Sequence, residues 1–294
     1  MCRILALTCV NCRALDLAIR EFIKSWVRAS KRDRRLFLVS KGSRISHDDG
    51  WGFALALRRR SSWGIAWDRS MLPAFSRESR AALSQVVKWV LGSEEAIAIL
   101  HSRASSIGEP LGVEATHPFR YDVRVGGTEA TIFFAHNGGA DKDALSRELG
   151  APRHRYSDSY LLGLYIAREI EKAGSLDPDG VSTIVAKSVA KFCRKSDGRK
   201  IGGITVTMVV SDEGAYAIAT SWYDEGDELR AAYYEPYLAK LEIRSSFGEA
   251  KLCVFASPTV VDELGIEPSY LEKLGSSSIV ILRGGRAEVR SYET

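Results

Sequence analysis

Hydrophobic residues along this chain change their spacing several times, and each spacing predicts a different element. The chain opens on an uninterrupted apolar stretch from Ile4 to Leu7, which is typical of a buried strand. Apolar residues then recur every three or four positions over about residues 13 to 29, which predicts an amphipathic helix. The same spacing predicts a second helix near Leu83 to Leu91. Two short runs at 51 to 57 and 63 to 67 predict a hairpin.

The remainder of the chain predicts helices in the middle and strands towards the end. Buried strands are expected over 96 to 100 and 131 to 135, and helices over about 141 to 149, 158 to 173 and 181 to 194. The later strands are predicted over 204 to 210, 215 to 221, 252 to 256, 279 to 282 and 287 to 290. Because strands and helices come in blocks rather than in alternation, the pattern favours an α+β fold with antiparallel sheets.

Length and composition favour one cytoplasmic domain over residues 2–294. A chain of 294 residues with 45% hydrophobic content can bury a sizeable core, and no long Pro-, Ser- or Gly-rich linker divides it. It has no run of eighteen apolar residues, so we expect no membrane span. Charged residues within the first twenty positions argue against a signal peptide. Five cysteines, an odd number, indicate reduced thiols rather than a disulfide framework.

Positive charge is concentrated in two short clusters, residues 31–35 and 58–60, although the net charge is only +4. Grouped lysines and arginines can neutralise phosphates. No aromatic interleaving or known reader motif accompanies them, so solvated helix ends and loops are favoured over a nucleic-acid surface. Either cluster is also a natural docking surface for an acidic partner protein.

The candidate chemistry begins at Cys2. An initiator methionine before a residue as small as cysteine is normally removed, which would leave a thiol and a free amine on one carbon. A thiol titrates near ~8.5 and an α-amine near ~7.7 to 8.0, so the amine can accept the thiol proton at neutral pH. The alternative is a small buried cysteine that opens a strand.

Several polar motifs follow Cys2 in order, and each has an ordinary structural interpretation when taken alone. Asp49-Gly50 is typical of a tight turn. Arg103 comes directly after a predicted strand, where a guanidinium can bind a carboxylate through two hydrogen bonds. Asn137-Gly138 follows another strand, and Ser157-Asp158 is typical of a helix N-terminus.

Taken together, these motifs resemble the class II glutamine amidotransferase domain, an N-terminal-nucleophile hydrolase, and most closely its stand-alone members. The matching segments are Cys2 to Ile4, DGWG at 49–52, HSRASSIG at 101–108, THPF at 116–119, HNG at 136–138 and SDS at 157–159. The resemblance implies a four-layer αββα sandwich of two mainly antiparallel sheets.

The resemblance also implies a mechanism without a cofactor. The Cys2 thiol would attack the side-chain carboxamide of glutamine, and its own amine would accept and later deliver the proton. Water would then hydrolyse the γ-glutamyl thioester. The side-chain amide of Asn137 and the backbone N–H of Gly138 would bind the oxyanion, and losing one such donor costs about 3 to 4 kcal/mol.

Further residues are assigned to substrate binding by the same resemblance. Arg103 would bind the α-carboxylate of glutamine, with Ser106 as a second donor, and Asp158 would bind the α-ammonium group. Asp49 and Gly50 would shape the wall beside the nucleophile.

Three histidines are expected to have mainly structural roles. His117, which stands before a proline, is more typical of a residue that supports the substrate loop than of one that transfers protons. His101 and His136 lie at predicted strand ends and are expected to be satisfied core residues.

Some positions differ from the pattern of the family and leave the substrate open. Ile107, Gly139 and Tyr160 replace residues that are often polar, larger or acidic there. A wider cavity could admit a γ-glutamyl peptide or conjugate, and a non-catalytic glutamine-binding scaffold is the alternative from another class. A synthase partner that uses the ammonia is expected from the family. Cys9-x-x-Cys12 lacks a second ligand pair, so no metal site is predicted.

Overall fold

The computed structural model describes residues 2–106, 108–193, 195–196, 199–200, 202–245, 248–265 and 270–292. Its strands are β1 (Cys2–Val10), β2 (Trp51–Arg59), β3 (Ser62–Ser70), β4 (Glu95–Arg103), β5 (Phe119–Val125), β6 (Thr128–Gly138), β7 (Lys195–Ser196), β8 (Arg199–Lys200), β9 (Gly203–Ser211), β10 (Gly214–Trp222), β11 (Tyr237–Ser245), β12 (Gly248–Ala256), β13 (Leu271–Lys273), β14 (Ser278–Arg283) and β15 (Arg286–Ser291). Its α-helices are α1 (Asp16–Lys31), α2 (Arg34–Val39), α3 (Ser79–Leu91), α4 (Lys142–Leu149), α5 (Asp158–Ala173), α6 (Pro178–Phe192), α7 (Glu228–Tyr234) and α8 (Pro258–Asp262).

The long strands form two antiparallel sheets. The first sheet has the strand order β13-β11-β12-β1-β4-β2-β3, and the second has the order β15-β14-β10-β9-β6-β5. β1 lies in the middle of the first sheet, between β12 and β4. The residue at its beginning is therefore held by a central strand rather than by a loose end.

The alternation of side chains along β1 shows how the layers are arranged. Ile4 and Ala6 belong to a core between the two sheets, which is rich in alanine. Leu5 and Leu7 point the other way, into a core shared with α1 and α3. The outer face of the second sheet is covered in the same way by α5 and α6. The fold is thus an α+β four-layer αββα sandwich, as the resemblance implies.

The strongly periodic elements of the sequence are confirmed, with shifted ends. The first helix begins at Asp16 after a short 3-10 turn over Cys12–Leu15. The helix predicted from residue 181 begins at Pro178, because the Asp177 side chain caps it by accepting from the Gly180 N–H at 2.9 Å. Residue 194, its predicted end, lies outside the described residues.

Short or amphipathic elements were not predicted. β5 alternates buried and exposed residues at the edge of the second sheet and has no continuous apolar run. The helices α2, α7 and α8 contain five to seven residues, too few to show a helical period. β11 was missed as well.

The expectation of reduced thiols is wrong for two of the five cysteines. Cys9 and Cys12 form a disulfide, because the 3-10 turn after β1 brings their Cα atoms to 5.4 Å. Cys2, Cys193 and Cys253 are free and buried. Among the helices in the described ranges, none has the length and apolar character needed to cross a membrane.

Candidate active site

Cys2 lies at the start of β1, on the strand face that also carries Ile4 between the two sheets. Its side chain is 6% exposed, and in the β1–β4 ladder it stands opposite Arg103. The register of two central strands therefore brings together a cysteine and an arginine that are about a hundred residues apart in sequence.

The second sheet supplies the residue that contacts the Cys2 backbone nitrogen. Asn137, near the end of β6, accepts a hydrogen bond from this nitrogen through Oδ1 at 2.7 Å. Its Nδ2 is buried and has no partner among the described residues. Because an unpaired buried donor costs about 1 to 3 kcal/mol, this NH₂ group is ready to donate a hydrogen bond to a ligand oxygen or a water molecule.

Gly138 follows Asn137 at a place where a side chain does not fit. A Cβ atom there would lie 2.8 Å from both the Gly202 carbonyl oxygen and His136 Nε2. The glycine thus lets the end of β6 approach the beginning of β9 closely, where Gly138 pairs with Gly203.

The environment of the Cys2 thiol favours the thiolate. Burial raises the pKa of this thiol, but the positive amino terminus of the chain, the neighbouring His101 and the Ala104 backbone outweigh burial and lower the pKa to about 6. A thiol with this pKa is largely ionised at neutral pH.

Arg103 is buried and only partly satisfied. Its Nη2 donates to the Pro110 carbonyl at 2.7 Å and to the Ser105 hydroxyl at 3.1 Å. Its Nη1 is buried and has no partner in the part of the chain that the structure describes. One side of the guanidinium is therefore held in place, and a donor on the other side is free for an anion.

Asp49 and Gly50 hold the segment around Arg103. Asp49 N–H donates to the Arg103 carbonyl at 3.0 Å, and the Gly50 carbonyl accepts from the Arg103 N–H at 2.9 Å. The Asp49 carboxylate accepts from the Ser105 N–H and pairs with Arg44, both at 2.7 Å. Burial acts to raise the pKa of Asp49, but these contacts keep it below its usual range.

Gly50 has a positive φ of +117° that a side chain would strain. A Cβ atom at this position would also lie 2.6 Å from the Ser70 carbonyl oxygen. A glycine is therefore required at position 50, because the end of β3 lies so close to it.

Asp158 is the first residue of α5 and is partly exposed. One carboxylate oxygen accepts from the Ser159 backbone N–H at 2.6 Å and from its hydroxyl at 3.1 Å. The other accepts from the Ala140 N–H at 3.0 Å, in the segment that follows β6. Ser157 caps the helix by accepting from the Tyr160 N–H. The carboxylate is therefore fixed close to the Asn137-Gly138 strand end.

The three histidines form a buried group behind these residues. The His117 ring lies 4.1 Å from the His101 ring and 4.4 Å from the Phe119 ring, measured between centroids. Neither ring nitrogen of His117 has a partner among the described residues, and burial together with nearby positive groups holds its pKa well below 6.5. His136 contacts Ser159 at 2.9 Å, and burial lowers its pKa to about 3. His117 and His136 are thus neutral packing residues at neutral pH.

The residues singled out in the sequence do not all contribute in the same way. Ser106 is exposed, and its carbonyl accepts from the Ser105 hydroxyl at 3.3 Å, whereas Ser105 itself contacts Arg103. Tyr160 stacks on Tyr156 with ring centroids 4.6 Å apart. Ile107 lies outside the described residues.

Other residues near Cys2 were missed. Tyr233 and Tyr234 come from the short helix α7, and the Tyr234 ring fills the space over Gly202, where a Cβ atom would lie 2.3 Å from it. Burial raises the pKa of Tyr234 to about 12, with contributions from the charges of Cys2 and Asp158. A buried cluster around Arg3 was also missed, although a charged residue in an otherwise apolar strand was a visible signal.

No cluster of three or more His, Cys, Asp or Glu side chains within the described ranges is arranged to hold a metal ion. No protein-family model and no curated protein matches this chain. A solved structure of a glutamine aminotransferase class-II domain protein from Silicibacter pomeroyi is 13% identical, with a TM-score of 0.42. The match covers 99% of this chain and 100% of that chain. A likeness at this TM-score carries no argument about function, so the proposals below rest on the geometry of the site.

Proposed function

We propose that this protein is a glutamine amidohydrolase or amidotransferase of the class II type, with Cys2 as its nucleophile and residues 2–294 as one functional domain. The observation that carries the proposal is the pairing of the Cys2 nitrogen with Asn137 Oδ1 at 2.7 Å, beside the unpartnered Asn137 Nδ2. A nucleophile, a base on the same residue and a free oxyanion donor are then adjacent.

The reaction follows from these positions. After removal of Met1 the Cys2 nitrogen is an α-amine, which holds the proton that the thiol has given up, and the thiolate sulfur attacks the carboxamide carbon of glutamine. Asn137 Nδ2 and the Gly138 N–H stabilise the oxyanion. The amine returns its proton to the departing ammonia, and water then cleaves the thioester to give glutamate. Glutamine and water are thus converted to glutamate and ammonia, with no cofactor.

The amino-acid head of the substrate needs opposite charges held apart. In our proposal Arg103 Nη1, buried and unpartnered, binds the α-carboxylate. Asp158, held by Ser159 and Ala140, binds the α-ammonium group. Asp49 and Gly50 hold the Arg103 segment in place, and His117 supports it by packing.

A larger γ-glutamyl compound is a second candidate substrate, and one observation favours it. Leu111, which is 68% exposed, follows the Pro110 carbonyl that binds Arg103. Met71, which is 54% exposed, lies beside Gly50. Exposed apolar side chains on both flanks of the site suit a γ-glutamyl amide with an apolar amine part.

The test is ammonia release from glutamine by the protein without Met1, compared with Cys2→Ala. We expect release by the wild type only, and a glutamine-like electrophile should label Cys2. A panel of γ-glutamyl amides, assayed for released amine, distinguishes the second substrate class. Calorimetric binding of glutamine without turnover at any pH would contradict the enzyme and support a binding scaffold. A synthase partner and a cytoplasmic location stay predictions.

A further inference from the structure

A fully buried ionic cluster lies directly behind Cys2, on the opposite face of β1. Arg3 has no exposed surface, and its Nε lies 2.5 Å from Asp33 Oδ2. Its Nη2 donates to the Thr259 hydroxyl at 2.9 Å, and its guanidinium stacks on the Tyr233 ring at 4.0 Å. Arg3 thereby contacts α7, α8 and the residue that caps the N-terminus of α2.

Asp33 has equally many partners. It accepts from His47 Nε2 at 2.8 Å, from the Thr259 hydroxyl at 2.9 Å and from the Leu36 N–H at 2.9 Å. These contacts and the Arg3 charge hold the pKa of Asp33 below its usual range, although burial alone would raise it. The Asp33 carboxylate is thus well satisfied, whereas Arg3 Nε lies beside it without an aligned hydrogen bond among the described residues. Partners of this kind help a buried ion pair to offset the cost of losing water.

The cluster also reaches the nucleophile itself. Arg3 Nη1 donates to the Cys2 carbonyl at 3.2 Å, while Asn137 accepts from the Cys2 nitrogen at 2.7 Å. The two ends of the Cys2 backbone are therefore held from opposite sides of the sheet. Fixing both the nitrogen and the carbonyl oxygen fixes the rotation about the Cα–C bond. It thereby fixes the directions in which the amine and the Cβ atom that carries the thiol leave the Cys2 Cα atom, relative to Asn137.

We propose that Arg3, held by Asp33 and Thr259, is a positioning residue that orients the amine and thiol of Cys2 for nucleophilic attack. The inference rests on the proposed function, and it adds residues that the mechanism above does not use. A buried ion pair stabilises a fold weakly compared with apolar packing, so a role in orientation explains its presence next to the nucleophile.

Arg3→Lys is the direct test, because lysine keeps the charge but cannot bind Asp33, Thr259 and the Cys2 carbonyl in one planar arrangement. We expect kcat for glutamine to fall about ten- to a hundredfold with a smaller change in KM, as misplaced reacting groups typically cause. The rate of Cys2 alkylation by iodoacetamide at pH 7, followed by peptide mass, should fall as well.

Thr259→Val is a second variant in case Arg3→Lys does not fold. It removes a hydroxyl that joins Arg3 to Asp33 and keeps the side-chain shape, whereas Thr259→Ser keeps both hydrogen bonds and should restore activity. Arg35→Lys is the matched control. Arg35 binds Asp262 at 2.8 and 2.9 Å and so joins the same helices, α2 and α8, without contacting Cys2.

The two proposals fail in distinguishable ways. Slower alkylation in Arg3→Lys and Thr259→Val, but not in Arg35→Lys, supports the inference even if glutamine proves not to be the substrate. Folded Arg3→Lys and Thr259→Val proteins that alkylate at the wild-type rate would overturn it, whatever the substrate. The inference would also be overturned if Arg3→Lys and Arg35→Lys lost the same thermal stability and Cys2 alkylation stayed unchanged. The cluster would then only stabilise the fold.

Discussion

Asn137 Oδ1 accepts the hydrogen bond of the Cys2 nitrogen at 2.7 Å, and this contact joins the start of the first sheet to the end of a strand in the second. The same side chain presents an unpartnered Nδ2 among the described residues. One amide thus has two distinct tasks in the proposed mechanism, and substitution can separate them.

Asn137→Asp and Asn137→Ala should differ in effect. Both substitutions remove the oxyanion donor. Each should therefore cost about 3 to 4 kcal/mol of transition-state stabilisation, which lowers kcat. The aspartate can still accept from the Cys2 amine, and its Cys2 should therefore keep a faster alkylation rate than that of the alanine variant. Steady-state ammonia release and iodoacetamide labelling measure the two tasks. Equal alkylation in both variants would contradict the acceptor role.

The Cys2 thiol should react with alkylating agents well below the pH at which ordinary thiols react. Its pKa is lowered to about 6, so the thiolate form is present above that pH and disappears as the pH falls below it. We expect the alkylation rate of Cys2 in the full 294-residue chain to reach half its plateau near pH 6. Burial raises the pKa of Cys253 to about 11, which makes this residue an internal control in the same peptide map. A midpoint near ~8.5, the value of a free thiol, would contradict the structure.

Ser105→Ala should weaken substrate binding more than Ser106→Ala does. Ser105 accepts from Arg103 Nη2 at 3.1 Å, whereas Ser106 is exposed. A hydrogen bond to a charged group contributes about 1.5 to 3 kcal/mol when buried, and Ser105 is half-buried, so we expect KM to rise roughly two- to tenfold. The matched Ser106→Ala variant should stay near the wild type. The reverse order would restore the role that the resemblance assigns to Ser106.

Stability should fall as the solution is acidified from pH 7 towards pH 4, and His47 should account for part of the loss. Burial lowers the pKa of His47 from 6.5 to about 4, so between these values the unfolded chain binds a proton that the folded chain does not. Proton binding therefore lowers the free energy of unfolding between these pH values, and His47 contributes at most about 3 kcal/mol to this loss.

His47→Gln tests this assignment, because the glutamine amide can still donate to Asp33 but does not titrate. Urea unfolding at pH 7 and pH 5 should show a smaller pH effect in the variant. His117 and His136, whose pKa values are also lowered, should leave a residual slope. If the free energy of unfolding depended on pH identically in the wild type and the variant, His47 would not contribute to the acid sensitivity.

Gly52→Ala should destabilise the fold, and Gly64→Ala should not. A Cβ atom on Gly52 would lie 2.4 Å from the His117 carbonyl oxygen, whereas on Gly64 the nearest atom is 3.8 Å away. Overpacking of this kind costs about 1 to 3 kcal/mol. Both glycines lie in strands of the β2–β3 hairpin. A difference between the two variants in the free energy of unfolding, measured by chemical denaturation, therefore reports the difference in packing around the added methyl group. A loss of the same size in both would contradict the close contact.

The sequence predicted an α+β fold with antiparallel sheets because its long elements are strongly periodic, whereas the order of the four layers was implied only by the family resemblance. Leu5 and Leu7 alternate with Ile4 and Ala6, and this pattern requires a strand that is buried on both faces. The short helix α7 has too few residues to show a period. Its Tyr233 and Tyr234 reach the Cys2 region only through tertiary contacts that no local pattern encodes.

The motifs of the sequence named some of the residues that the structure brings together, but not those that become neighbours only through the fold. Cys2, Arg103 and Asn137 were singled out from motifs, and the structure places Cys2 in contact with Asn137 and opposite Arg103. Whether Ser105 or Ser106 contacts Arg103 depends on the path of the loop after β4, which the sequence pattern does not predict. The Arg3 partners are spread from residue 33 to residue 259 and become neighbours only after folding.

The pairing of Cys2 with Arg103 across β1 and β4 also limits the length of the substrate that the proposed site can bind. A strand ladder cannot slide by a fraction of a residue, and a slip of one residue would turn every side chain to the wrong face. The register thus fixes the backbone positions of the two residues, and the Pro110 and Ser105 contacts of Arg103 fix the guanidinium end of the span. Selection of a five-carbon over a four-carbon amino acid would then survive changes in the outer wall, which are left free to tune the departing amine.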